Sequence, residues 1–415
     1  MKQEPHNGAA VAVTAALSFC LIANLAPLMT FPAVAPEVAL AWGLGAADVG
    51  WIGGVYFAGY AVAVPVLSSA TDRFDCRRII TGSALLGTGA GLAFATVADG
   101  FWMALALRFL GGAALAGAHM PGLKLIVERV TGPGQSRSAA IYTSSYAVGS
   151  AGSFLLAGLL DAAFGWRVMF LVAGFTPLLG VAAIAWLAPP RRRPPPAGPM
   201  LDFGSVIRNR PFMAYVIGFA GNTWEVFGIR VWFVVCLSWN LSLPGNRMDL
   251  PNLAVIGGLA ALAGVPVSVF VAELASKWGR SRVIAATCLV SVAVCFALAA
   301  TAGGAIAVVL TLLILLQITS FADVGALGAG SVGLSDPARR GAALAVYAFA
   351  GFTTGFLGPV VIGVALDWFG GPASRTGWTA AFLIMALGSA VAALAVWSVR
   401  HLDPARRAQD LPDGE

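Results

Sequence analysis

Two ionisable residues stand inside one long apolar segment and are the first candidates for chemistry. Arg108 and His119 both lie within residues 101–130, FWMALALRFLGGAALAGAHMPGLKLIVERV. An ionisable side chain in hydrocarbon costs several kcal/mol, so it usually faces a bundle interior or a water-filled cavity. At about 100° per residue, the spacing puts both side chains on one helix face, roughly 16 Å apart along the axis. The segment is therefore predicted to line a path.

The second half of the chain holds two carboxylates and an arginine in similar surroundings. Glu225 and Arg230 lie in FAGNTWEVFGIRVWF, and Asp323 lies in LLQITSFADVGALGAG. A carboxyl group inside a span can take up and release a proton without leaving a permanent charge in the bilayer. The predicted proton-coupling residues are Glu225, Asp323 and His119. The alternatives are an ion pair between a carboxylate and Arg108, and for His119 a neutral imidazole bonded to a backbone carbonyl.

Other polar and aromatic residues inside the predicted spans are candidates for contact with a solute. A Trp or Tyr near the end of a span has an alternative role as an anchor at the membrane interface. The predicted substrate-binding residues are Arg108, Asn222, Trp224, Arg230, Tyr56 and Tyr146.

The composition requires that these residues be positioned by membrane helices. Of the 415 residues, 59% are apolar and 11% are charged, whereas soluble domains are about 25% charged. The apolar runs are continuous and about 20 residues long, which excludes the short alternating strands of a β-barrel. The twelve predicted spans cover roughly residues 12–36, 49–70, 79–97, 101–124, 138–160, 168–188, 212–236, 253–275, 281–301, 304–331, 342–366 and 377–399.

The basic residues predict the orientation of these spans in the inner or plasma membrane. With both termini in the cytoplasm, 19 of the 25 Lys and Arg residues fall on the cytoplasmic side, as the positive-inside rule expects. Because they lie beside span ends, the net charge of +6 does not indicate a nucleic-acid partner. The predicted domains are a cytoplasmic N-terminus (1–11), an N-terminal six-helix bundle (12–188), a Pro- and Arg-rich cytoplasmic linker (189–211), a C-terminal six-helix bundle (212–399) and a cytoplasmic tail (400–415).

Polar loops recur between the two halves at an offset near 204 residues. Internal repeats of this kind are typical of secondary transporters, whose substrate site lies near the midplane between the repeats. The matched pairs are residues 71–78 with 276–282, 137–142 with 340–347, and 161–170 with 367–382.

The chain resembles the major facilitator superfamily in its motifs over about residues 12–400. The family's loop signature G-x-x-x-D-R-x-G-R-R-R appears as SSATDRFDCRR, and its fourth-helix signature R-x-x-x-G falls on Arg108 and Gly112. The resemblance implies an all-α integral membrane fold of twelve helices in two pseudo-symmetric six-helix bundles. It also implies a cytoplasmic charge cluster that locks the inner gate. The alternative for the arginines of this cluster is that they only set the orientation of the spans in the membrane. The predicted gating residues are Asp72, Arg73, Arg77, Arg78, Lys277 and Arg280.

One departure from the family's pattern bears on the substrate. The fifth-helix antiporter signature G-x-x-x-G-P-x-x-G-G would fall on residues 149–158, GSAGSFLLAG. Ser153 and Phe154 stand there in place of Gly and Pro, which weakens a drug/proton antiport interpretation.

The sequence thus predicts a transporter and not an enzyme. It has no Ser-His-Asp set, metal-ligand spacing or phosphate-binding loop, so no catalytic residue, metal or cofactor is predicted. The five cysteines lack paired spacing and are interpreted as packing residues. We expect a monomer in the lipid bilayer that moves a small anionic or zwitterionic solute by proton-coupled alternating access, because Arg108 and Arg230 place positive charge in the pathway. The alternatives are drug or cation efflux by proton antiport, and a non-transporting receptor on the same fold.

Overall fold

The structure, a computed structural model, is all-helical in the residues that it describes, which are 4–71, 73–130, 134–185, 203–336 and 339–402. The helices are α1 (Glu4–Leu25), α2 (Thr30–Trp42), α3 (Ala46–Ala70), α4 (Cys76–Val97), α5 (Phe101–Arg129), α6 (Gly134–Phe164), α7 (Trp166–Ala185), α8 (Phe203–Arg208), α9 (Arg210–Ser242), α10 (Leu253–Trp278), α11 (Arg280–Thr301), α12 (Ile306–Ala322), α13 (Val324–Leu334), α14 (Arg340–Trp368) and α15 (Arg375–Ser398). A short 3₁₀ turn, Arg400–Leu402, follows α15.

Twelve helical stretches of this described part are long and apolar enough to cross a membrane. They correspond one for one to the twelve predicted spans, so the predicted fold class is confirmed. The chain forms two compact units. The first unit comprises Met1–Val34 and Val55–Gly198, and the second unit comprises Ala35–Gly54 and Pro199–Glu415.

The first span is interrupted, although the apolar run over 12–36 predicts one continuous helix. Helix α1 ends at Leu25 and α2 begins at Thr30, with turns at residues 26–29. Pro27 explains the break, because proline has no N–H to donate and disfavours helical geometry at the residue before it. The interruption leaves backbone carbonyl groups of residues 26–28 inside the first unit, where they require donors from other helices.

The tenth span is also interrupted, at Asp323, although the apolar run over 304–331 predicts a continuous helix. Helix α12 ends at Ala322 and α13 begins at Val324, with Asp323 at φ −95° and ψ −4°. The backbone N–H of Gly325 donates to Ser268 Oγ of α10 at 3.1 Å. The glycines in DVGALGAG favour a break here, since glycine is among the weakest helix formers.

Helix caps explain where several of the spans begin. Asp75, in the loop signature, accepts a hydrogen bond from the N–H of Arg77 at 3.0 Å and so caps α4. In the second unit, the carboxylate of Asp367 at the end of α14 caps α3. It accepts from the N–H groups of Ala46 and Ala47 at 3.0 and 2.8 Å. A carboxylate at this position satisfies two of the orphan donors of a helix and interacts favourably with the helix dipole.

Candidate functional site

Arg108 supports the break in the first span. The residue is 3% exposed. Its guanidinium group donates from Nη1 to the carbonyl oxygen of Pro27 at 2.8 Å and from Nη2 to that of Leu28 at 2.7 Å. The same group lies 4.5 Å from the centroid of the Tyr56 ring. Two carbonyl dipoles and an aromatic face therefore stabilise this buried cation. Its Nε has no hydrogen-bond partner among the described residues.

Ser153 of α6 supports the same break from another side. Its Oγ donates to the carbonyl oxygen of Ala26 at 2.7 Å and accepts from the N–H of Met29 at 2.9 Å. The glycine of the antiporter signature would have no hydroxyl group for either bond. The departure from the family's pattern thus has a local structural reason, which the sequence alone did not reveal.

His119 lies eleven positions after Arg108 on α5, in a group of tyrosines. Its Nδ1 is 2.8 Å from the hydroxyl group of Tyr60, and its backbone carbonyl accepts from the Tyr142 hydroxyl at 2.8 Å. The rings of His119 and Tyr146 have centroids 5.0 Å apart. Because Tyr56 and Tyr60 are one turn apart on α3, Arg108 and His119 meet the same face of that helix. An imidazole bonded to a phenol can exchange a proton with it.

Glu225 lies in the interior of the second unit and is 0% exposed. Its Oε1 accepts from Ser291 Oγ at 3.0 Å and from Cys295 Sγ at 3.2 Å, both on α11. Its Oε2 is hydrogen-bonded to Ser389 Oγ of α15. Three helices therefore position this carboxyl group with neutral partners.

Asp323 lies at the interruption between α12 and α13 and is 2% exposed. Its Oδ1 accepts from Asn222 Nδ2 at 2.7 Å, and its Oδ2 accepts from Cys288 Sγ at 3.1 Å. Asn222 Nδ2 also donates to the carbonyl oxygen of Ser320 at 2.6 Å. The interpretation of the cysteines as packing residues is incomplete, since Cys288 and Cys295 each donate to a carboxyl group.

A hydroxyl contact links the surroundings of Glu225 to α12, the helix that ends before Asp323. Ser291 Oγ, which contacts Glu225, is 3.2 Å from Thr319 Oγ1 of α12. We call the resulting group the acid cluster. It consists of Asn222, Glu225, Cys288, Ser291, Cys295, Thr319, Ser320, Asp323 and Ser389.

The remaining residues predicted to bind substrate have contacts of their own. The Arg230 guanidinium is buried, 5.2 Å from the centroid of the Phe321 ring. Trp224 Nε1 donates to the carbonyl oxygen of Ile384 at 2.9 Å. Substrate contact by these residues stays a prediction.

The predicted gating residues that the structure describes lie at helix ends or in the turn between α3 and α4. Asp72 falls outside the described residues, and its gating role stays a prediction. Arg73, Arg78 and Lys277 are exposed. Arg77 Nη2 lies 3.5 Å from the carbonyl oxygen of Ala185, and Arg280 is half-buried at the start of α11.

The described part of the chain contains no group of three or more His, Cys, Asp or Glu side chains arranged to hold a metal ion. The two candidate functional regions are the acid cluster and the α5 face with Arg108 and His119, each within one unit.

Known proteins resemble this chain over parts of its length. The 4-hydroxybenzoate transporter PcaK of Pseudomonas putida is 28% identical over 37% of this chain and 34% of its own length. The niacin transporter NiaP of Acinetobacter baylyi is 27% identical over 32% of this chain and 30% of its own length. A multidrug resistance protein B homolog of Mycobacterium tuberculosis is 33% identical over 36% of this chain and 27% of its own length. The chain spans about a third of the length of these curated relatives.

Solved structures share the fold over nearly the whole chain. A bacterial homolog of the human lysosomal transporter Spinster, crystallised in an inward-facing and unoccupied conformation, superposes with a TM-score of 0.76. That match covers 95% of this chain and 98% of the other at 17% sequence identity, which establishes the fold alone. The family model described as Major Facilitator Superfamily matches residues 12–335, well over half of the sequence. On this match, and with the twelve spans that the fold provides, the chain belongs to the Major Facilitator Superfamily.

Proposed function

We propose that this protein is a secondary active transporter that moves a small organic anion or zwitterion across the membrane by proton-coupled alternating access. The observation that carries the proposal is Glu225, a carboxyl group with 0% exposure in a helical membrane bundle. Its partners are hydroxyl and thiol groups from α11 and α15. Ionisable residues inside membrane bundles are costly and mark ion or proton pathways.

Proton uptake removes the charge that makes such a group costly. A protonated Glu225 is neutral and can stay among hydroxyl groups, whereas an ionised one needs water or a cation. A helix movement that admits water or a cation to Glu225 would release its proton, and closure would favour uptake again. Binding and release of the proton are in this way linked to conformation. Asp323 and His119 are the further candidates for the same role.

The proposed substrate class is an aromatic monocarboxylic acid. Two relatives carry the names of such compounds, 4-hydroxybenzoate and niacin. In the first unit, Arg108 supplies a buried positive charge. Its Nε–H has no hydrogen-bond partner among the described residues and is the donor available to a carboxylate. Tyr56 and Tyr146 supply rings close to Arg108 and His119, and aromatic ligands pack well against such rings.

Reconstitution into proteoliposomes tests this function. Uptake of labelled 4-hydroxybenzoate or nicotinate should rise with an imposed proton gradient and fall to the level of empty liposomes when a protonophore collapses it. An uncharged aromatic amide is the matched control and should not accumulate. Equal uptake of the acids with and without the proton gradient would refute proton coupling.

Drug or cation efflux by proton antiport is the second candidate. It is supported by the relative named as a multidrug resistance protein B homolog. Ser153 weighs against it, because this residue departs from the antiporter signature. A cationic dye that is extruded on a proton gradient, with no transport of aromatic acids, would establish this alternative. Solute binding without counterflow would instead indicate a receptor.

A further inference from the structure

Gln317 is a buried polar residue of α12 whose side chain makes no hydrogen bond within the described part of the chain. The residue is 1% exposed, and neither Nε2 nor Oε1 of its amide has a partner among the described residues. A buried donor or acceptor that has lost water and gained no partner destabilises a protein. Such a group is uncommon and requires an explanation.

Comparable side chains in the described residues are bonded. Each of the other four buried amide side chains makes at least one hydrogen bond through its amide group: Asn24, Asn222, Asn240 and Asn246. On α12 itself, the hydroxyl groups of Thr311, Thr319 and Ser320 also have partners. Gln317 is thus the exception among the described buried amides and along its own helix.

The amide of Gln317 lies beside an aromatic ring and a positive charge. Phe321 follows Gln317 by four residues, so the two side chains are neighbours on one face of α12. Helical side chains lean toward the N-terminal end of their helix, which directs the Phe321 ring toward Gln317. On α9, the buried Arg230 guanidinium lies 5.2 Å from the centroid of that ring. The amide, the ring and the guanidinium group therefore border one place inside the second unit.

The chemistry of the Gln317 amide selects the kind of group that can bind there. The amide offers N–H donors on Nε2 and an acceptor oxygen, Oε1. An ionised carboxylate accepts hydrogen bonds but cannot donate one, so it would leave Oε1 unbonded. A hydroxyl group both donates and accepts, and can therefore bond with Oε1 and Nε2 together. An aromatic hydroxyl also brings a ring that can pack against Phe321.

We propose that Gln317, Phe321 and Arg230 form a subsite for the ring hydroxyl group of an aromatic solute. The hydroxyl donates to Gln317 Oε1 and accepts from Nε2, and the solute ring packs against Phe321. Arg230 supplies positive charge, which favours a solute that is anionic as a whole. That this solute is a transported aromatic acid rests on the proposed function, whereas the preference for a hydroxyl group does not. Gln317 is in this way a specificity-determining residue.

Binding of matched ligands to the purified full-length protein tests the subsite. 4-Hydroxybenzoate and benzoate carry the same carboxylate and differ in the ring hydroxyl. Equilibrium dialysis should show about tenfold tighter binding of 4-hydroxybenzoate, because it forms two hydrogen bonds that benzoate lacks. 4-Methoxybenzoate can accept at this oxygen but cannot donate, and it should bind no more tightly than benzoate. Equal dissociation constants for 4-hydroxybenzoate and benzoate would overturn the subsite.

Gln317→Leu locates the preference. Leucine is of similar size and has no polar side-chain atom, so this variant should bind 4-hydroxybenzoate and benzoate equally. Its thermal midpoint without ligand should equal or exceed that of wild type, because two unbonded polar groups leave an apolar environment. A midpoint well below wild type would show that the amide is bonded in the free protein and would contradict the proposal. So would a tenfold preference that persists in Gln317→Leu.

Asn24→Leu is the matched control, since it replaces a buried amide that is already bonded. Asn24 is 4% exposed, and its Nδ2 donates to the carbonyl oxygen of Cys20 at 2.8 Å. This variant should keep the preference for 4-hydroxybenzoate over benzoate. Loss of the preference in Asn24→Leu as well as in Gln317→Leu would show that it does not depend on Gln317 in particular, and would overturn the subsite.

The subsite and the proposed function can fail separately. 4-Hydroxybenzamide keeps the ring hydroxyl and lacks the carboxylate, and benzamide is its control. If neither acid binds, but 4-hydroxybenzamide binds more tightly than benzamide to wild type and not to Gln317→Leu, the proposed function is contradicted and the subsite stands. Proton-driven uptake of both acids with equal dissociation constants would contradict the subsite alone. A wild-type protein that binds none of the hydroxylated ligands would contradict both.

Discussion

Arg108 bridges the carbonyl oxygens of Pro27 and Leu28, at 2.8 and 2.7 Å, so that α5 holds the two parts of the first span together. Lysine carries the same charge but has no planar fork with which to reach both oxygens. We expect Arg108→Lys to lower the stability of the protein by about 1.5 to 3 kcal/mol, as for a lost hydrogen bond to a charged group. The thermal midpoint in detergent measures the stability loss, and initial uptake rates measure its effect on transport.

Arg167→Lys is the matched control for Arg108→Lys. Arg167 donates to the single carbonyl oxygen of Ala95 at 3.1 Å and lies over the Trp166 ring near the start of α7. This substitution should cost less than Arg108→Lys. Equal midpoints for the two variants would show that the bridge does not stabilise the break.

The break in the first span is a feature that a hydropathy average does not detect. The apolar run around Pro27 was recognisable as a span because hydropathy averages over about 20 residues. The same averaging conceals four residues of turn. Pro27 was a visible signal for the break, since proline interrupts helices. The supporting hydroxyl of Ser153 was not predictable, because it lies 127 positions from its acceptor on Ala26.

Gly112 is predicted to tolerate no side chain. A Cβ added there would lie 1.7 Å from the backbone oxygen of Tyr56. Close approach of α3 and α5 therefore requires glycine, as at many membrane helix interfaces. Gly112→Ala should lower stability by about 3 kcal/mol or more, because backbone must move to relieve the overlap. Folded yield and thermal midpoint measure the effect.

Gly89 of α4 provides the comparison for Gly112. A Cβ added there meets no described atom within 4 Å. Since alanine favours helix by about 1 kcal/mol over glycine, Gly89→Ala should leave the midpoint unchanged or raise it. A Gly112→Ala protein as stable as Gly89→Ala would show that the two helices can separate without cost.

Asp367 is expected to stabilise the start of α3 through its carboxylate. Asp367→Ala removes two acceptors, for the N–H groups of Ala46 and Ala47, and should cost about 1 to 2 kcal/mol. Asp367→Asn keeps an acceptor oxygen and should retain part of the stability. Asp48→Ala removes one acceptor, for the N–H of Gly45, and should cost less. A thermal midpoint that is lower for Asp367→Ala than for Asp367→Asn and Asp48→Ala supports the cap. A midpoint for Asp367→Ala above that of Asp48→Ala contradicts it.

The acid cluster marks a second limit of prediction from sequence. Glu225 and Asp323 were recognisable because carboxylates are rare inside apolar spans. Their partners were not recognisable, since serine and cysteine are ordinary residues in membrane helices. The partners also come from distant positions. Ser291 is 66 residues from Glu225, and Ser389 is 164 residues away. Only the packing of α9, α11 and α15 brings them together.

Glu225→Gln tests which carboxyl group carries the proton. Glutamine has nearly the same shape and keeps an acceptor oxygen for Ser291 and Cys295, but it cannot take up and release a proton at physiological pH. We expect the variant to lose gradient-driven accumulation of solute while counterflow stays within a few-fold of wild type. Exchange of solute across the membrane requires no net movement of protons, so it should survive the substitution.

Asp323→Asn is the matched variant for this assignment, and both proteins are assayed in the same medium. If Glu225 carries the proton, Asp323→Asn should still accumulate solute on a proton gradient. Accumulation by Glu225→Gln together with its loss in Asp323→Asn would move the proton to the interruption between α12 and α13. In that case Asp323 would take up and release the proton, with Asn222 and Cys288 as its hydrogen-bond donors. Glu225 would then act as a hydrogen-bonded structural group that holds α9 to α11 and α15.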